Sequence, residues 1–540
     1  MKSALIISLL LLATFINYAQ EAERPKLVVG IVVDQMRWDF LYRYIDRYAA
    51  KGGFKRMMNK GFNCDNTIIN HVPTYTACGH AGIYTGSVPS IHGITGNDWF
   101  DNEMQEYVYC TADTAAKTVG SITTAAGQMS PKNMLTSTIC DELKLATNFK
   151  SKTIGIALKD RGGILSAGHS ANAAWWYDSK TGQWITSGFY MKVLPQWVID
   201  FNKQQLVDKY YMQGWKTLYP VASYVQSTTD ENNFEIKPFG KGFPYDLSAL
   251  AGKNYNAILA TPFGNTLTNE FAKASIENEK LGADSITDFL AISYSSTDYI
   301  GHSFGPNSIE IEDTYLRLDA ELGEMLDFLD NKIGKDQYLV FLSADHGAAH
   351  VPAFMKENKI PAGNLVVKTL VDAMNEGSKE KFKVGNLVID MINHQVVLNT
   401  RLIESDSKLN LSAIKQWIIQ YLLKHEAVQN AFALDDLKNT TLNDTQKKMI
   451  ANGYYPKRCG QIHVILKPQW LEGFEKGGTT HGLWNPYDTH IPLLWYGWKI
   501  KHGFTHREVY MTDIAPTIAA LLKIQAPNGS VGSVITEVLR

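Results

Sequence analysis

Cysteine is scarce in this chain: Cys64, Cys78, Cys110, Cys140 and Cys459 are the only five in 540 residues. None forms a CxxC pair, which argues against a zinc site built on thiolates. The odd count leaves at least one thiol free, and the spacing dictates no pairing. Long basic runs are also absent, and the formal net charge is −2. Nothing therefore marks a nucleic-acid-binding or anionic-membrane surface. One apolar run, Ala4 to Ile16, stands near the N-terminus, and no other approaches the ~20 residues of a spanning helix. Internal repeats and low-complexity segments are lacking too. What remains is an ordinary globular composition, 45% hydrophobic. It suffices for one large α/β domain with insertions or for two to three domains.

The N-terminus reads as a secretory signal peptide, residues 1–19. Lys2 supplies a short positive region, Ala4 to Ile16 the apolar stretch, and Ala19 the residue before the cut. Gln20-Glu21-Ala22-Glu23-Arg24-Pro25 is a polar mature start, and no Cys near it invites lipidation. The expectation is an exported, periplasmic protein with no stable membrane anchor after cleavage. Nothing sets its oligomeric state, and a monomer is compatible with the sequence.

Five apolar, β-branched runs read as buried parallel strands: Leu27–Val33, Thr153–Leu158, Phe289–Ser295, Tyr338–Leu342 and Ile491–Tyr496. The first four end at or near Asp34, Lys159, Asp298 and Asp345, where open α/β sheets bind ligands. The expected fold is α/β, a mostly parallel central sheet sandwiched by helices. Leu411, Ile414, Trp417, Ile418, Tyr421 and Leu422 form an amphipathic stripe, which reads as core. Thr512-Asp513-Ile514-Ala515-Pro516 reads as an N-cap and first-turn proline leading a helix to Leu522. Residues 20–540 then form one catalytic domain. Two ligand-poor stretches, about 168–283 and 351–478, are expected as cap insertions over the C-terminal face of the sheet.

Asp34, Asp298-Tyr-Ile-Gly-His302, Asp345-His346-Gly347 and His481 supply three carboxylates and three imidazoles in Gly-flanked contexts. Asp and His in this mix suit zinc. Six such ligands fit two adjacent metals better than one, and paired metals clamp both oxygens of a phosphoryl transfer. Asp34 alone would be a helix cap. Asp298 and His302, four apart, can face one ion from a helix turn or a compact loop. Asp345 and His346 can share an ion only once their strand has ended, and Gly347 permits that exit.

Pro73-Thr74-Tyr75-Thr76-Ala77-Cys78-Gly79-His80 offers hydroxyl nucleophiles. A bound metal would activate Thr76 without a histidine base, and Thr74 and Cys78 compete with it on local sequence. Gly79-His80-Ala81-Gly82 looks like a helix opening whose amides suit a phosphoryl oxygen. Lys159 and Arg161 share a face of an extended segment. Arg brings a planar fork and Lys a compact charge, although exposed basic pairs are usually just solvated. Asn97 offers an amide to the same oxygens, or is simply a turn residue. His71, His80, His92, His350, His463 and His490 have structural or supporting roles, with His80 and His350 the first to reconsider. The parts together point to a hydrolase of phosphate esters.

With these residues in view, the chain resembles the alkaline phosphatase superfamily of bimetallic hydrolases, most of all its PafA-type bacterial members. The likeness runs from Asp34 to the Thr512–Thr517 helix. It implies one zinc held by Asp298, His302 and His481, and another by Asp34, Asp345, His346 and the nucleophile Thr76. It also implies phosphate contacts from Asn97, Lys159 and Arg161, a phosphothreonine intermediate, and small-molecule phosphate monoesters as substrates. Sulfatases of the superfamily carry C-x-P-x-R, from which Cys78-Gly79-His80-Ala81-Gly82 departs. Its phosphodiesterases share the ligands and the P-T-x-T motif but lack the Lys-x-Arg pair, and they are the enzymatic alternative. A non-catalytic zinc- or phosphate-binding protein is the other. Members with a third metal carry a Glu where Ser293 stands, so no third, magnesium site is expected. Two zinc ions against three aspartates leave a small positive excess that a Thr76 alkoxide cancels. Lys159 and Arg161 then match the two charges of a monoester.

Overall fold

The computed structural model describes residues 23–473 and 477–539. The expected signal peptide lies outside them. No helix among the described residues is long and apolar enough to cross a membrane.

Five strands carry the architecture: β1 Leu27–Val33, β2 Thr153–Ala157, β3 Asp288–Tyr294, β4 Tyr338–Ser343 and β5 Leu493–Gly497. They sit within a ten-stranded sheet, in the spatial order β5-β4-β1-β3-β2. The pairs of β1 with β3 and β4, and of β3 with β2, are parallel. Every residue of β1 to β4 is buried, as continuous apolar strands covered on both faces must be. The fold is α/β, as the strand pattern implies. One strand departs from expectation. β5 runs antiparallel to β4, not parallel, and Pro492 separates it from His490–Ile491, which pairs with Thr67–Ile68 in a small second sheet. Proline cannot donate to a ladder, so the apolar run divides there.

Helices α1 Thr76–Thr85, α2 Asp160–Ala167 and α3 Ser296–Phe304 carry Thr76, Arg161, and Asp298 with His302 in turn. Close approach explains some of the glycines. A Cβ on Gly30 of β1 would lie 2.6 Å from the Tyr84 hydroxyl of α1, and one on Gly155 of β2 would lie 2.1 Å from the Gly163 carbonyl of α2.

The strands Ala173–Asp178 and Gln183–Ser187, early in the 168–283 stretch, extend the central sheet beyond β2. Most of 351–478 builds a separate four-stranded sheet that includes the hairpin Val388–Ile392 and Gln395–Leu398. Helix α4, Leu411–Leu422, packs Ile414, Ile418 and Leu422 into that sheet's own apolar cluster. The closing helix, α5 Ile514–Leu522, starts after a 3-10 turn. Thr512 is not its N-cap. Thr512 instead accepts from Asn70, and Asp513 accepts from the Tyr510 amide. All five cysteines are free and buried.

Candidate active site

Because β1 to β4 are parallel, the residues that follow them collect at one edge of the sheet. Two groups of metal-binding side chains form there, Asp298 with His302 and His481, and Asp34 with Asp345 and His346. In each, the ligand atoms lie within 4.8 Å of one another. Asp298 and His302 stand one helical turn apart on α3, Nε2 to Oδ1 3.2 Å. Asp345 and His346 come after β4 has ended, as the strand geometry requires. Gly347, however, serves a close approach and not a turn. A Cβ there would lie 2.1 Å from the Tyr487 carbonyl.

The three imidazoles are oriented alike. The Nδ1 atoms of His302, His346 and His481 meet the carbonyls of Thr479, Gly347 and Thr74 at 2.7, 2.9 and 2.7 Å. A proton on each Nδ1 leaves Nε2 with a free lone pair, the tautomer a metal ligand needs. The His346 and His481 rings stack with centroids 3.5 Å apart. Burial, joined for His481 by its imidazole neighbours, holds both below the ordinary pKa, and therefore neutral. His302 is raised, because Asp298 beside it outweighs burial.

The carboxylates are short of partners. Asp34 Oδ1 and Asp345 Oδ2 are buried without a hydrogen bond. Burial raises the Asp34 carboxyl well above its usual range, and Asp345 adds to that. Asp298 and Asp345 fall below theirs, because adjacent histidines and Lys159 overcome the cost of burial. Lys159 Nζ touches both groups, 2.7 Å from Asp34 Oδ2 and 2.6 Å from Asp298 Oδ2. These two carboxylates raise its pKa despite burial. One ammonium among three buried carboxylates leaves negative charge uncompensated, which is costly inside a protein. Divalent cations at the two groups would remove that cost, so the residues present fit a binuclear metal centre.

Thr76 opens α1, three residues earlier than the Gly79 turn expected. Its Oγ1 lies 3.3 Å from His346 Nε2 and 3.4 Å from Lys159 Nζ. Gly79 makes this possible, since a Cβ there would lie 2.3 Å from the Asp345 carbonyl. The rivals are engaged elsewhere. Thr74 Oγ1 donates to the Leu483 carbonyl at 2.9 Å, and Cys78 donates to that of Ile94, its thiol pushed up by burial. In the first turn of α1, Ala77 N donates to Asn97 Oδ1 at 3.0 Å, which ties Asn97 to the residue after Thr76.

Lys159 and Arg161 are not on one extended segment. Lys159 is the residue preceding α2, and Arg161 lies in its first turn. Arg161 Nη1 donates to Tyr109 OH at 3.1 Å, and its buried Nε has no partner. Tyr299, between the α3 ligands, lies under Lys159 with its ring centroid 5.0 Å away.

Two supporting residues, Gln35 and Thr297, had no signature in the sequence, and a third, His80, is one of the two histidines set first for reconsideration. Gln35, at φ 63°, donates through its backbone amide to Asp345 Oδ1 at 3.1 Å and through Nε2 to Asp298 Oδ1 at 2.7 Å, so it bridges both groups. Thr297 Oγ1 donates to the Asp34 carbonyl at 2.5 Å. His80 lies 3.3 Å from Asp345 Oδ2 by Nδ1 and 2.9 Å from Ser293 Oγ by Nε2. His350 stands apart from both groups, against Asn307 and Arg37.

A mostly parallel sheet with two Asp/His groups able to hold metal ions at one edge, and a helix-opening threonine beside them, is an arrangement that suits a hydrolase with a binuclear metal centre. Residues 28–490 match the type I phosphodiesterase/nucleotide pyrophosphatase family. The chain belongs to that family, and within it to the alkaline phosphatases of the PafA and PhoV type. It is 51% identical to alkaline phosphatase PhoV of Synechococcus elongatus, over 97% of this chain and 94% of that one. It is 48% identical to alkaline phosphatase PafA of Elizabethkingia meningoseptica, over 96% and 95%. A Myroides odoratus protein named calcium-transporting ATPase is 52% identical over 100% and 99%. The crystal structure of wild-type PafA superposes with a TM-score of 0.93 at 48% identity, covering 96% of this chain and 99% of that one. A PafA variant altered at a threonine, an asparagine, a lysine and an arginine superposes at 0.92 with 47% identity, covering 95% and 99%.

Proposed function

We propose that the chain is a zinc-dependent phosphate monoesterase that acts through a phosphothreonine at Thr76. One observation carries the reading. Thr76 Oγ1 is within 3.4 Å of both His346, from a metal group, and Lys159, from the phosphate-binding set. The four positions altered in the PafA variant are spaced along that chain as Thr76, Asn97, Lys159 and Arg161 are along this one. That supports treating these four as one functional set.

Asp298, His302 and His481 would hold one zinc, and Asp34, Asp345 and His346 the other, with Thr76 beside the second. Zinc there supplies Lewis acidity, favouring the ionised hydroxyl and a departing alkoxide. Thr76 Oγ1 attacks phosphorus in line as the ester oxygen leaves. The bond from Oγ1 to phosphorus is then broken by water, which returns the threonine. Lys159, Arg161 and the Asn97 amide hold the non-bridging oxygens as charge shifts during transfer. The two basic side chains complement a dianion better than the single charge of a diester.

Ile236, Asn364 and Leu471, from the two stretches proposed as a cap, line a cavity of about 270 Å³ beside His302. The leaving group fits this place. Rates on a monoester and a diester with the same leaving group test the reading, and a preference for the diester would overturn it. Export to the periplasm belongs to the same proposal. N-terminal sequencing of the mature protein should begin at Gln20, and retention of the leader in the cytoplasm would exclude export.

A further inference from the structure

The hairpin of the four-stranded sheet turns on Asn393 and His394, both at positive φ, 56° and 58°. Two-residue hairpin turns of this hand require that conformation, and glycine meets it at least cost. Here two larger polar residues occupy it, and both are buried, 8% and 4% exposed. A hairpin tip normally faces water, so this one is placed against something.

One side of the tip meets the Asn97 loop. Asn393 Nδ2 donates to the Asp98 carbonyl at 2.8 Å. It also crowds Gly96 so closely that a Cβ there would lie 2.4 Å from it. Asn97 is thus held from both chain neighbours. The other side meets the chain neighbours of the nucleophile and of a metal ligand. The His394 ring is stacked with that of Tyr75, centroids 6.3 Å apart. A Cβ on Gly482 would lie 2.8 Å from His394 Nε2 and 2.9 Å from the Tyr75 ring. Tyr75 precedes Thr76, and Gly482 follows His481. Glu472 Oε1, on a strand of a separate two-stranded sheet, lies 3.0 Å from His394 Nδ1.

We propose that the Asn393-His394 turn is a positioning device for catalysis. It wedges between the loop bearing Asn97 and the segments bearing Thr76 and His481, and sets their separation. Neither residue touches the reacting atoms. A misplacement of about 1 Å between such groups costs on the order of 100-fold in rate, so a rigid spacer has a purpose here.

The inference rests on the phosphate-binding role proposed for Asn97, and the test separates the two. Asn393→Gly keeps the backbone unstrained and removes the amide. It should lower monoester kcat/KM by about 2- to 10-fold, the scale of one lost hydrogen bond. In an Asn97→Ala background it should cost nothing further, because the group it positions is gone. His394→Asn tolerates the same φ. It should weaken zinc retention against a chelator by roughly 10-fold, the low end for groups that orient a ligand. Thermal unfolding of each variant checks that the fold persists. Multiplicative losses in the Asn97→Ala background, or an unaltered rate in Asn393→Gly, would overturn the Asn393 half. Unaltered zinc retention in His394→Asn would overturn the other. Wild-type activity in Asn97→Ala alone would instead remove the proposed role of Asn97.

Discussion

Lys159 Nζ lies 2.6 Å from Asp298 Oδ2, and the same nitrogen is 2.7 Å from Asp34 Oδ2 in the other metal group. A single ammonium thus bridges two ligand sets built from strands far apart in the chain. With Asp345 also buried, three carboxylates share this one full-time cation. Divalent cations held at the two groups would relieve that imbalance and would free Lys159 for the phosphate oxygen proposed for it.

Metal dependence follows directly. A strong chelator should abolish phosphatase activity, zinc should restore it, and elemental analysis should find about two zinc per chain. The metal-free protein should also melt at lower temperature, because ligand binding to the native state stabilises it by mass action. Full activity in a preparation verified free of metal would refute the centre.

Nucleophile identity is the second prediction. Thr76→Ala should lose at least about 100-fold in activity, since the attacking oxygen is gone. Thr76→Ser should keep substantial activity. Thr74→Ala and Cys78→Ala should stay active and lose stability by ~1 kcal/mol, from one hydrogen bond or a small void. Label from a phosphoenzyme trapped in acid should sit on Thr76, and recovery on another residue would reject the assignment.

Much of the site was legible because its chemistry is local in sequence. Asp298 and His302 share one helical turn, Asp345 and His346 are adjacent, and each follows a strand whose apolar run is unambiguous. Gln35 was not legible, because the carboxylate that it holds is 263 residues away. Nothing near Gln35 announces that contact. The direction of β5 was hidden for a similar reason. An apolar run specifies burial, whereas its orientation depends on the path the chain takes to reach the sheet. Arg161 was singled out through a mistaken premise. The pair was read on an extended segment, but α2 begins between its members.

The pH dependence of stability has a clear contributor in Asp141. Its carboxyl accepts from Ser170 and from the Thr138 amide in a capping box, and His169 lies beside it. Against burial, these partners lower its pKa from 3.8 to about 2. A depressed carboxylate stabilises the fold above its unfolded pKa, and this is lost as pH falls through the folded value. Asp141→Asn should therefore cost ~2 kcal/mol near neutrality. Its deficit against wild type should shrink between about pH 4 and pH 2. Denaturant unfolding across that window gives the measurement, and a deficit independent of pH would contradict the argument.

Substrate class rests on Lys159 and Arg161. Their two positive charges should favour the transition state of a monoester dianion over that of a diester. A charge-assisted hydrogen bond contributes ~1.5–3 kcal/mol, so losing either partner should cost roughly 10- to 150-fold in monoester kcat/KM. Lys159→Ala carries a second effect, because it also removes a partner of Asp34 and Asp298. Zinc content must therefore be measured alongside the rate. Arg161→Ala is the cleaner probe, since its guanidinium contacts Tyr109 and no metal ligand. Removing both should cost more, though neighbouring groups need not add. Diester hydrolysis needs these contacts less, so the monoester-to-diester ratio of kcat/KM should fall sharply in the double variant. An unchanged ratio at full zinc occupancy would mean that the pair does not read the substrate's charge, and a phosphodiesterase would become the better description.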